Sequence, residues 1–317
     1  MYLWRSFTRS IKKFSTVSQR NASTETNVLE RYIPRRALLY VPGNDERKIA
    51  KVQNIDVDCV VLDCEDGVAI NQKDAARQTI CAVLGNTKFS QKTDVAVRIN
   101  SVDSGLAGED LKAVLSARQL PTTLLLPKVE DKDHVRWLAN QIGDNQFQII
   151  LYVESALGLI NLHETLQHGT KTCKIAGLVF GSDDFTASIG ATRTKDAKEV
   201  LMARQQVVLL AKAYKLQAID MVYINFKDEE GLRAQALEGA QMGFTGKQVI
   251  HPAQVAIVQK AFTPSAEQLD WASRLLAHFE AHQKEGKGAF TFEGAMIDMP
   301  TVLQAKNLVQ AYRAVQE

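Results

Sequence analysis

The chain has 317 residues, of which 45% are hydrophobic and 23% charged, with 38 basic against 36 acidic side chains. This balance excludes a disordered, collagen-like or coiled-coil protein. No apolar run approaches the roughly 18 residues that a membrane-spanning helix needs, so we expect a soluble protein with no membrane partner. The four cysteines lack the paired spacing of a zinc site and are too few for a disulfide scaffold, which favours a reducing compartment.

The first 24 residues differ in charge from the rest of the chain. They contain five basic residues and no acidic one, so the remainder has a formal charge of −3 where the whole chain has +2. The segment is rich in Ser and Thr, and helical spacing would place Leu3, Phe7, Ile11 and Phe14 on one face. This pattern predicts a mitochondrial transit peptide over residues 1–24 and import into the matrix. A disordered basic tail is the alternative, and the lack of a basic patch in the remainder argues against a nucleic-acid partner.

From Pro34 onward, short apolar runs alternate with helical patterns. Several runs are apolar on both faces, as buried parallel strands are, and the segments between them place apolar side chains at helical spacing. Eight strands are predicted, at residues 37–41, 59–63, 95–99, 123–126, 148–153, 177–180, 218–222 and 246–250. Eight strand-then-helix units predict an α/β fold, a (β/α)8 TIM barrel over residues 32–262, with a doubly wound open sheet as the competing architecture.

The C-terminal residues 263–317 do not continue this repeat. Residues 267–283 predict one amphipathic helix, with Leu269, Leu275 and Phe279 on its apolar side. A loop over residues 287–300 follows, and its several Phe and Met residues are unusual for a solvated linker. We therefore expect a C-terminal helix-loop-helix extension whose loop packs against another surface.

Acidic residues mark the mouth of the predicted barrel. The active site of such a barrel lies at the C-terminal ends of the strands, so the polar residues after each run are the candidates. Acids follow four of the runs: Glu65 with Asp66, Glu130, Glu154, and Asp183 with Asp184. Carboxylates that converge on one mouth repel one another unless a cation or a proton lies between them. Oxygen ligands alone favour a hard ion such as Mg²⁺ or Mn²⁺.

Glu154 and Asp184 are the strongest metal candidates. They are 30 residues apart, one strand-helix unit, which places them at the ends of neighbouring strands roughly 5 Å apart. Mg²⁺ typically takes one or two protein carboxylates and leaves its other positions to water and substrate. The structural alternatives are that the acids at 183–184 cap the next helix and that Glu154 pairs with Lys128.

Two further side chains point to the same mouth. Arg98 ends the third run, where a guanidinium can bind a carboxylate or a developing oxyanion; an ion pair with Glu65 or Asp66 is an equally good explanation. His251 follows the eighth run, although a lone His is more often a structural hydrogen-bonding residue than an acid or base.

The turn at residues 42–45 joins the first strand to a helix that contains Arg47, Lys48 and Lys51. Backbone amides at such a helix start can meet a phosphate, with help from these cations. Helix capping by the Asn or Asp of the turn explains the same tetrapeptide equally well.

Six short motifs resemble a known family. They are RALLYVPGN at 36–44, LDCEDGV at 62–68, VRIN at 97–100, LPKVE at 126–130, FGSDDF at 180–185 and GKQVIHP at 246–252. In this order they resemble the citrate lyase β-subunit-like family of HpcH/HpaI-type, Mg²⁺-dependent barrels. KGAFTF at 287–292 and MIDMP at 296–300 carry the resemblance into the extension, so that it covers residues 32 to 317.

The resemblance implies an enzyme that cleaves (3S)-citramalyl-CoA to acetyl-CoA and pyruvate, in a homotrimer of barrels. By matching positions, Glu154 and Asp184 would hold Mg²⁺. The substrate, an acyl-CoA, would contact Tyr40, Arg47, Lys51, Arg98, Ile250 and His251. Asp298 would be the catalytic acid/base and would reach the barrel mouth of the neighbouring subunit, on which the extension would pack. Arg98 would act beside it by facing the developing oxyanion.

Two positions depart from the family pattern, and other functions stay open. Asp183 stands where relatives have Glu, and Arg47 where they have Lys. Alternatives on the same barrel are a pyruvate-class aldolase and a malyl-CoA lyase or thioesterase, and glyoxylate condensation to malate-type products is an expected side activity. A catalytically silent oligomeric partner is the non-enzymatic alternative.

Overall fold

Eight parallel strands close into a barrel in the computed structural model, which describes residues 33–284 and 290–316. Each strand pairs with the next in sequence, and the first pairs with the eighth, which excludes an open sheet. The strands are β1 (Ala37–Pro42), β2 (Cys59–Asp63), β3 (Asp94–Arg98), β4 (Thr123–Leu126), β5 (Gln148–Val153), β6 (Lys174–Phe180), β7 (Gln217–Asp220) and β8 (Gly246–Val249). The predicted (β/α)8 barrel and its eight strands are confirmed.

Helices cover the outside of the barrel, and several begin at a side-chain cap. Asp131, Ser155 and Asp228 each accept a hydrogen bond from a backbone amide of the helix that they precede, which fixes its first residue. The helices are α1 (Glu46–Val52), α2 (Lys73–Asn86), α3 (Ala107–Leu115), α4 (Lys132–Ile142), α5 (Ala156–Thr172), α6 (Ser182–Ser188), α7 (Leu201–Ala213), α8 (Glu229–Met242) and α9 (Pro252–Ala261). Two helices, α6 and α7, therefore follow β6, and α6 lies at the mouth.

The strands are buried on both faces, as their continuous apolar runs predict. Their outward side chains pack against the helices in the larger core, and their inward side chains fill the barrel. The register aligns the strand ends, so that Asp63 of β2 pairs with Arg98 of β3 and Val153 of β5 pairs with Phe180 of β6. Residues that follow paired ends therefore face one another across the mouth.

The C-terminal extension has a core of its own. It consists of α10 (Ala266–Lys284), strands β9 (Phe290–Phe292) and β10 (Ala295–Ile297), and α11 (Met299–Gln316). Its buried apolar side chains form a cluster separate from both barrel clusters: Ala272, Leu275, Phe279, Phe290, Phe292, Ile297, Val302 and Ala305. The extension is thus stabilised by contacts among its own helices and strands.

The loop predicted over residues 287–300 is wrong in part. Its described residues form an antiparallel hairpin, in which Ala295 pairs with Phe292 and Ile297 with Phe290. Glu293 and Gly294 make the two-residue turn with φ values of 50° and 81°, the left-handed pair that tight hairpins require. The apolar residues that looked odd in a linker alternate along these strands, and Phe290, Phe292 and Ile297 are buried.

The transit peptide predicted over residues 1–24 lies outside the described residues. The domain boundaries at residues 32 and 262 stay predictions. Within the described ranges, no helix is both long and apolar enough to cross a membrane.

Candidate active site at the barrel mouth

A cavity of about 440 Å³ opens at the C-terminal ends of the strands. It is lined by five of the nine residues predicted to catalyse the reaction, bind substrate or hold the metal, namely Tyr40, Arg98, Glu154, Asp184 and Ile250. Asp63, Asp66, Ser182, Asp183 and Gln248 add further polar groups to the lining. The folded barrel therefore brings most of the predicted site residues to one place.

Glu154 follows the last residue of β5 and is buried, with 5% of its surface exposed. The amide of Lys128 donates to its Oε2 at 2.8 Å. On the other side the carboxylate lies against Gly181, where an added Cβ would come within 2.3 Å of Oε1. Burial, together with the negative charge of Glu65, raises the pKa of Glu154 to about 8. No described ammonium or guanidinium group lies within 4.0 Å of this carboxyl group.

Asp184 lies in the first turn of α6, and 46% of its side chain is exposed. Its nearest cation is the ammonium of Lys128, at 3.9 Å. Among residues 33–284 and 290–316, no three acid, His or Cys side chains form a closed metal site. Two oxygen ligands beside an open cavity match what Mg²⁺ takes from proteins, with its other positions left to water and substrate. Glu154 is a buried carboxyl group with a raised pKa and no described cation within 4.0 Å, and it fits a divalent cation that takes the place of its proton.

Arg98 is buried and held by acids of the neighbouring strand. Asp63 accepts from Nε at 2.7 Å and from Nη2 at 2.6 Å, and Glu65 lies 2.8 Å from Nη1. Asp63 is itself fixed, since the amides of Glu65 and Gly67 each donate to it at 2.9 Å. The structural ion pair considered for Arg98 is thus present with Glu65, and Asp63 is its bidentate partner.

Two tyrosines pack on the guanidinium of Arg98. Its Cζ lies 5.2 Å from the ring centre of Tyr40 and 5.8 Å from that of Tyr152, within cation–π range. The two hydroxyl groups are hydrogen-bonded to each other. Burial raises the pKa of both phenols above the ordinary value, so both stay neutral hydrogen-bond donors.

Lys128 lies among the acids of the mouth. Its Nζ is 2.8 Å from Glu65 and 3.2 Å from Asp66. Burial raises the pKa of Glu65 to about 7, and the two cations Arg98 and Lys128 oppose that shift. The expected pairing of Glu154 with Lys128 occurs through the backbone amide rather than the ammonium.

A second groove, of about 730 Å³, lies beside the mouth and shares Pro42, Lys48 and Gly67 with it. Arg47 lines this groove. Asp45 accepts from the amide of Lys48 and is the N-cap of α1, so the capping explanation of the turn holds. Lys51, in the last turn of α1, is exposed and lines neither the groove nor the mouth.

His251 and Asp298 both have local structural roles. His251 is the N-cap of α9, with Nδ1 accepting from the amide of Ala253, and its ring stacks on Phe226 with centroids 4.5 Å apart. Asp298 directly precedes α11, is exposed, and accepts from the amide and hydroxyl of Thr301. It does not line the mouth of its own barrel.

Sequence reasoning passed over several residues of the mouth. Asp63 is the last residue of β2, and Arg98 is the last residue of β3. Because the two strands are neighbours, this shared position could have indicated that the two side chains pair. The Oγ of Ser182 is buried without a hydrogen-bond partner in the part of the chain described, and Gln248 donates to the carbonyl of Phe180 at 3.0 Å. Periodicity gives no indication of these two contacts.

Comparisons with known proteins place this mouth in a family context. The family model described as HpcH/HpaI aldolase/citrate lyase matches residues 36–252. The chain belongs to this aldolase/citrate lyase family. The resemblance found in the six motifs is thereby confirmed.

Relatives within the HpcH/HpaI aldolase/citrate lyase family include both enzymes and solved structures. Mitochondrial citramalyl-CoA lyase of Mus musculus is 51% identical over 300 residues, 90% of this chain and 88% of the relative. A (3S)-malyl-CoA thioesterase of Cereibacter sphaeroides is 31% identical over 89% of this chain and 96% of its own. Protein CitE of Mycobacterium tuberculosis, solved with magnesium, acetoacetate and coenzyme A, has a TM-score of 0.73 at 31% identity and covers 88% of this chain and 98% of that one.

Proposed function

We propose that this protein is a Mg²⁺-dependent carbon–carbon lyase that cleaves (3S)-citramalyl-CoA to acetyl-CoA and pyruvate. The observation that carries the proposal is the mouth cavity, where the carboxylates Glu154 and Asp184 share one lining with Arg98. The identity of 51% to a citramalyl-CoA lyase supports the substrate. The magnesium in the CitE structure supports the metal.

The reaction breaks the bond between the acetyl α-carbon and the carbinol carbon. The hydroxyl group loses its proton and becomes the keto group of pyruvate, while the bonding pair moves to the thioester as an enolate, which then takes up a proton. Negative charge thus develops at both ends. Mg²⁺, when held by Glu154 and Asp184, supplies Lewis-acid charge for the pyruvate half.

Arg98 faces the thioester end in this proposal. A guanidinium has five N–H donors, of which Asp63 accepts two; Glu65 lies 2.8 Å from Nη1 as an ion pair without a hydrogen bond, so N–H donors remain for a substrate oxygen. Because Asp63 and the two tyrosine rings fix the group before substrate arrives, it needs no reorganisation as the charge forms. Loss of one such donor typically raises the barrier by about 3–4 kcal/mol.

Asp298 protonates the enolate carbon in this proposal, from a second copy of the chain. Within one chain it is exposed and absent from the mouth lining, so a neighbouring subunit has to supply it. The separate core of the extension and the exposed Met296, Met299 and Leu303 support its packing on another copy, and the family resemblance implies that the assembly is a homotrimer. Catalysis would then need two chains for each site.

The groove beside the mouth is the proposed path of the coenzyme A part. Arg47 and Lys48 line it, and cations there suit the phosphates of an acyl-CoA. Lys51, on the same helix, would contribute charge near its end, while Ile250 and His251 would border the acyl group. The name of the mouse relative and the basic leader support a mitochondrial location, in the matrix.

A malyl-CoA thioesterase or lyase is the second candidate, which the 31% identity to the thioesterase favours. Malyl-CoA lacks one methyl group of citramalyl-CoA, and a pocket discriminates one such group by only about 1–3 kcal/mol. Glyoxylate in place of pyruvate would give malate-type products in the reverse direction.

The test is incubation of the purified chain with (3S)-citramalyl-CoA and Mg²⁺, with acetyl-CoA and pyruvate measured together. Equal amounts of both products, lost with EDTA and in Asp184→Ala, would support the proposal. Free CoA with citramalate would instead indicate a thioesterase. Turnover of malyl-CoA but not of citramalyl-CoA would change the proposed substrate to malyl-CoA. Turnover of neither would favour a catalytically silent partner.

A further inference from the structure

Lys128 makes a set of contacts at the mouth that the proposed reaction does not use. Its ammonium lies 2.8 Å from Glu65, 3.2 Å from Asp66 and 3.9 Å from Asp184. Asp184 is one of the two proposed metal ligands. The same residue therefore places a positive charge next to the position that a divalent cation would take.

The backbone of Lys128 is constrained as well. Its φ is +51°, in the left-handed region that L-residues other than Asn and Asp rarely adopt. This conformation directs its amide at Oε2 of Glu154, at 2.8 Å. One residue thus contacts both proposed ligands, Glu154 through its amide and Asp184 through its ammonium, and strain of this kind clusters at functional sites.

We propose that Lys128 is the built-in counter-cation of the metal-free site, and that a divalent cation displaces its ammonium from Asp184. This inference rests on the proposed metal site. Without a cation, the mouth gathers the carboxylates of Glu65, Asp66 and Asp184, which the ammonium neutralises in part. When a divalent cation binds, the ammonium is repelled and stays with Glu65 and Asp66, its two closer partners.

If Lys128 is a counter-cation, its replacement should strengthen metal binding rather than weaken it. A residue that merely supports the fold would weaken metal binding when it is changed. A competing cation does the opposite, since its removal frees Asp184 and takes away a like charge that lies 3.9 Å from this proposed ligand. Lys128→Met keeps an unbranched side chain of nearly the same length and deletes the charge together with its N–H donors. We expect it to bind a divalent cation about tenfold more tightly, equivalent to about 1.4 kcal/mol.

The experiment measures binding of Mn²⁺ alone by electron paramagnetic resonance, in the full chain and without substrate. Lys128→Arg, which keeps the charge, should bind Mn²⁺ as the unchanged protein does. Lys132→Met is the matched control, because Lys132 is one turn of sequence away, pairs with Glu164 and does not line the mouth. Unchanged or weaker Mn²⁺ binding by Lys128→Met would overturn the proposal.

The displacement of Lys128 can also be tested on the unchanged protein, so that the result does not depend on whether a variant folds. Lysine acylation followed by mass spectrometry reports how reactive each amine is. Saturating Mg²⁺ should raise the reactivity of Lys128, because its amine loses one carboxylate partner, and should leave Lys132 unchanged; an unchanged Lys128 contradicts displacement. Loss of Mn²⁺ binding in Asp184→Ala tests the metal site itself, so failure of that site and failure of the Lys128 role give different results.

Discussion

Asp63 and Arg98 are paired across neighbouring strands at the mouth of the barrel, and the carboxylate binds the guanidinium through two hydrogen bonds of 2.7 and 2.6 Å. This pair fixes the direction of the guanidinium in the cavity. An Arg–Asp pair of similar geometry lies at the other end of the barrel, before the strands β1 and β2, where Arg36 binds Asp58 at 2.7 and 2.9 Å. The two pairs differ in their proximity to the proposed substrate site.

Arg98→Lys should lower kcat by about a hundredfold or more, because lysine cannot reproduce two-point binding and places no N–H donors toward the thioester oxygen. Arg36→Lys removes an equivalent pair far from the cavity. We expect both variants to lose unfolding free energy in urea and only Arg98→Lys to lose turnover. Equal loss of turnover in both would show that Arg98 acts through stability alone.

Gly181→Ala should weaken metal binding by about tenfold or more, because the new methyl group would lie 2.3 Å from Oε1 of Glu154 and has to displace the carboxylate. Gly108→Ala in α3 is the control, since nothing lies within 4 Å of its added Cβ. Isothermal titration with Mg²⁺ compares the two. Tight binding in Gly181→Ala would mean that Glu154 is not a ligand.

Chains that differ in one half of the site should complement one another. Asp184→Ala and Asp298→Asn are each expected to be inactive. Co-expressed in equal amounts, they should recover about a quarter of the wild-type activity per chain, because random assembly joins an intact mouth to an intact neighbouring Asp298 in about one site of four.

The control for this complementation is the wild-type chain co-expressed with the double variant Asp184→Ala/Asp298→Asn. If Asp298 acts on the neighbouring chain, this mixture also gives about a quarter of full activity. If Asp298 acts within its own chain, the first mixture gives none and the second gives about one half. The two mixtures together therefore decide which chain supplies Asp298.

Lys247 should make the free energy of unfolding depend on pH in the alkaline range. It is fully buried in β8, and burial lowers its pKa to about 8, although Asp220 at 3.4 Å opposes the shift. Asp220 is shared with Arg204, which limits that opposition. Between pH 8 and about 10.4 the unfolded chain binds a proton at this lysine that the folded chain does not, so the stability of the fold rises with pH across this window.

The corresponding measurement is urea unfolding of the unchanged protein and of Lys247→Met at pH 8 and at pH 10.4. The difference in unfolding free energy between the two proteins should change by about 2.5 kcal/mol over this range, in favour of the unchanged protein at high pH. A constant difference would mean that Lys247 titrates alike in both states.

The barrel could be predicted from sequence because most of its strands are runs of buried apolar residues, with boundaries that the structure shifts by three residues at most. The hairpin could not, because its turn is Glu293-Gly294 rather than a common Asn-Gly or Asp-Gly pair, and its strands have only three residues each. Short strands give too few alternations to be told from a loop.

Within the site, residue type and position after a strand were sufficient to bring Glu154, Asp184 and Arg98 together. The predicted ion pair of Arg98 with Glu65 or Asp66 is present, at 2.8 and 3.7 Å, but the sequence did not indicate the bidentate partner Asp63, the residue in register with Arg98. The contact of the Lys128 amide with Glu154 could not be predicted either. The spacing of side chains gives no information on a left-handed φ or on the direction of a backbone amide.

The separate core of the extension has a kinetic consequence. If Asp298 serves the barrel of another copy, the active site of a dissociated chain lacks its proton donor. The Asp298 of that chain has no barrel mouth to act on. Specific activity would then fall on dilution below the dissociation constant of the assembly, even though every chain stays folded. The rate would rise more steeply than in proportion to enzyme concentration in that range, as for an enzyme whose active site forms only on encounter.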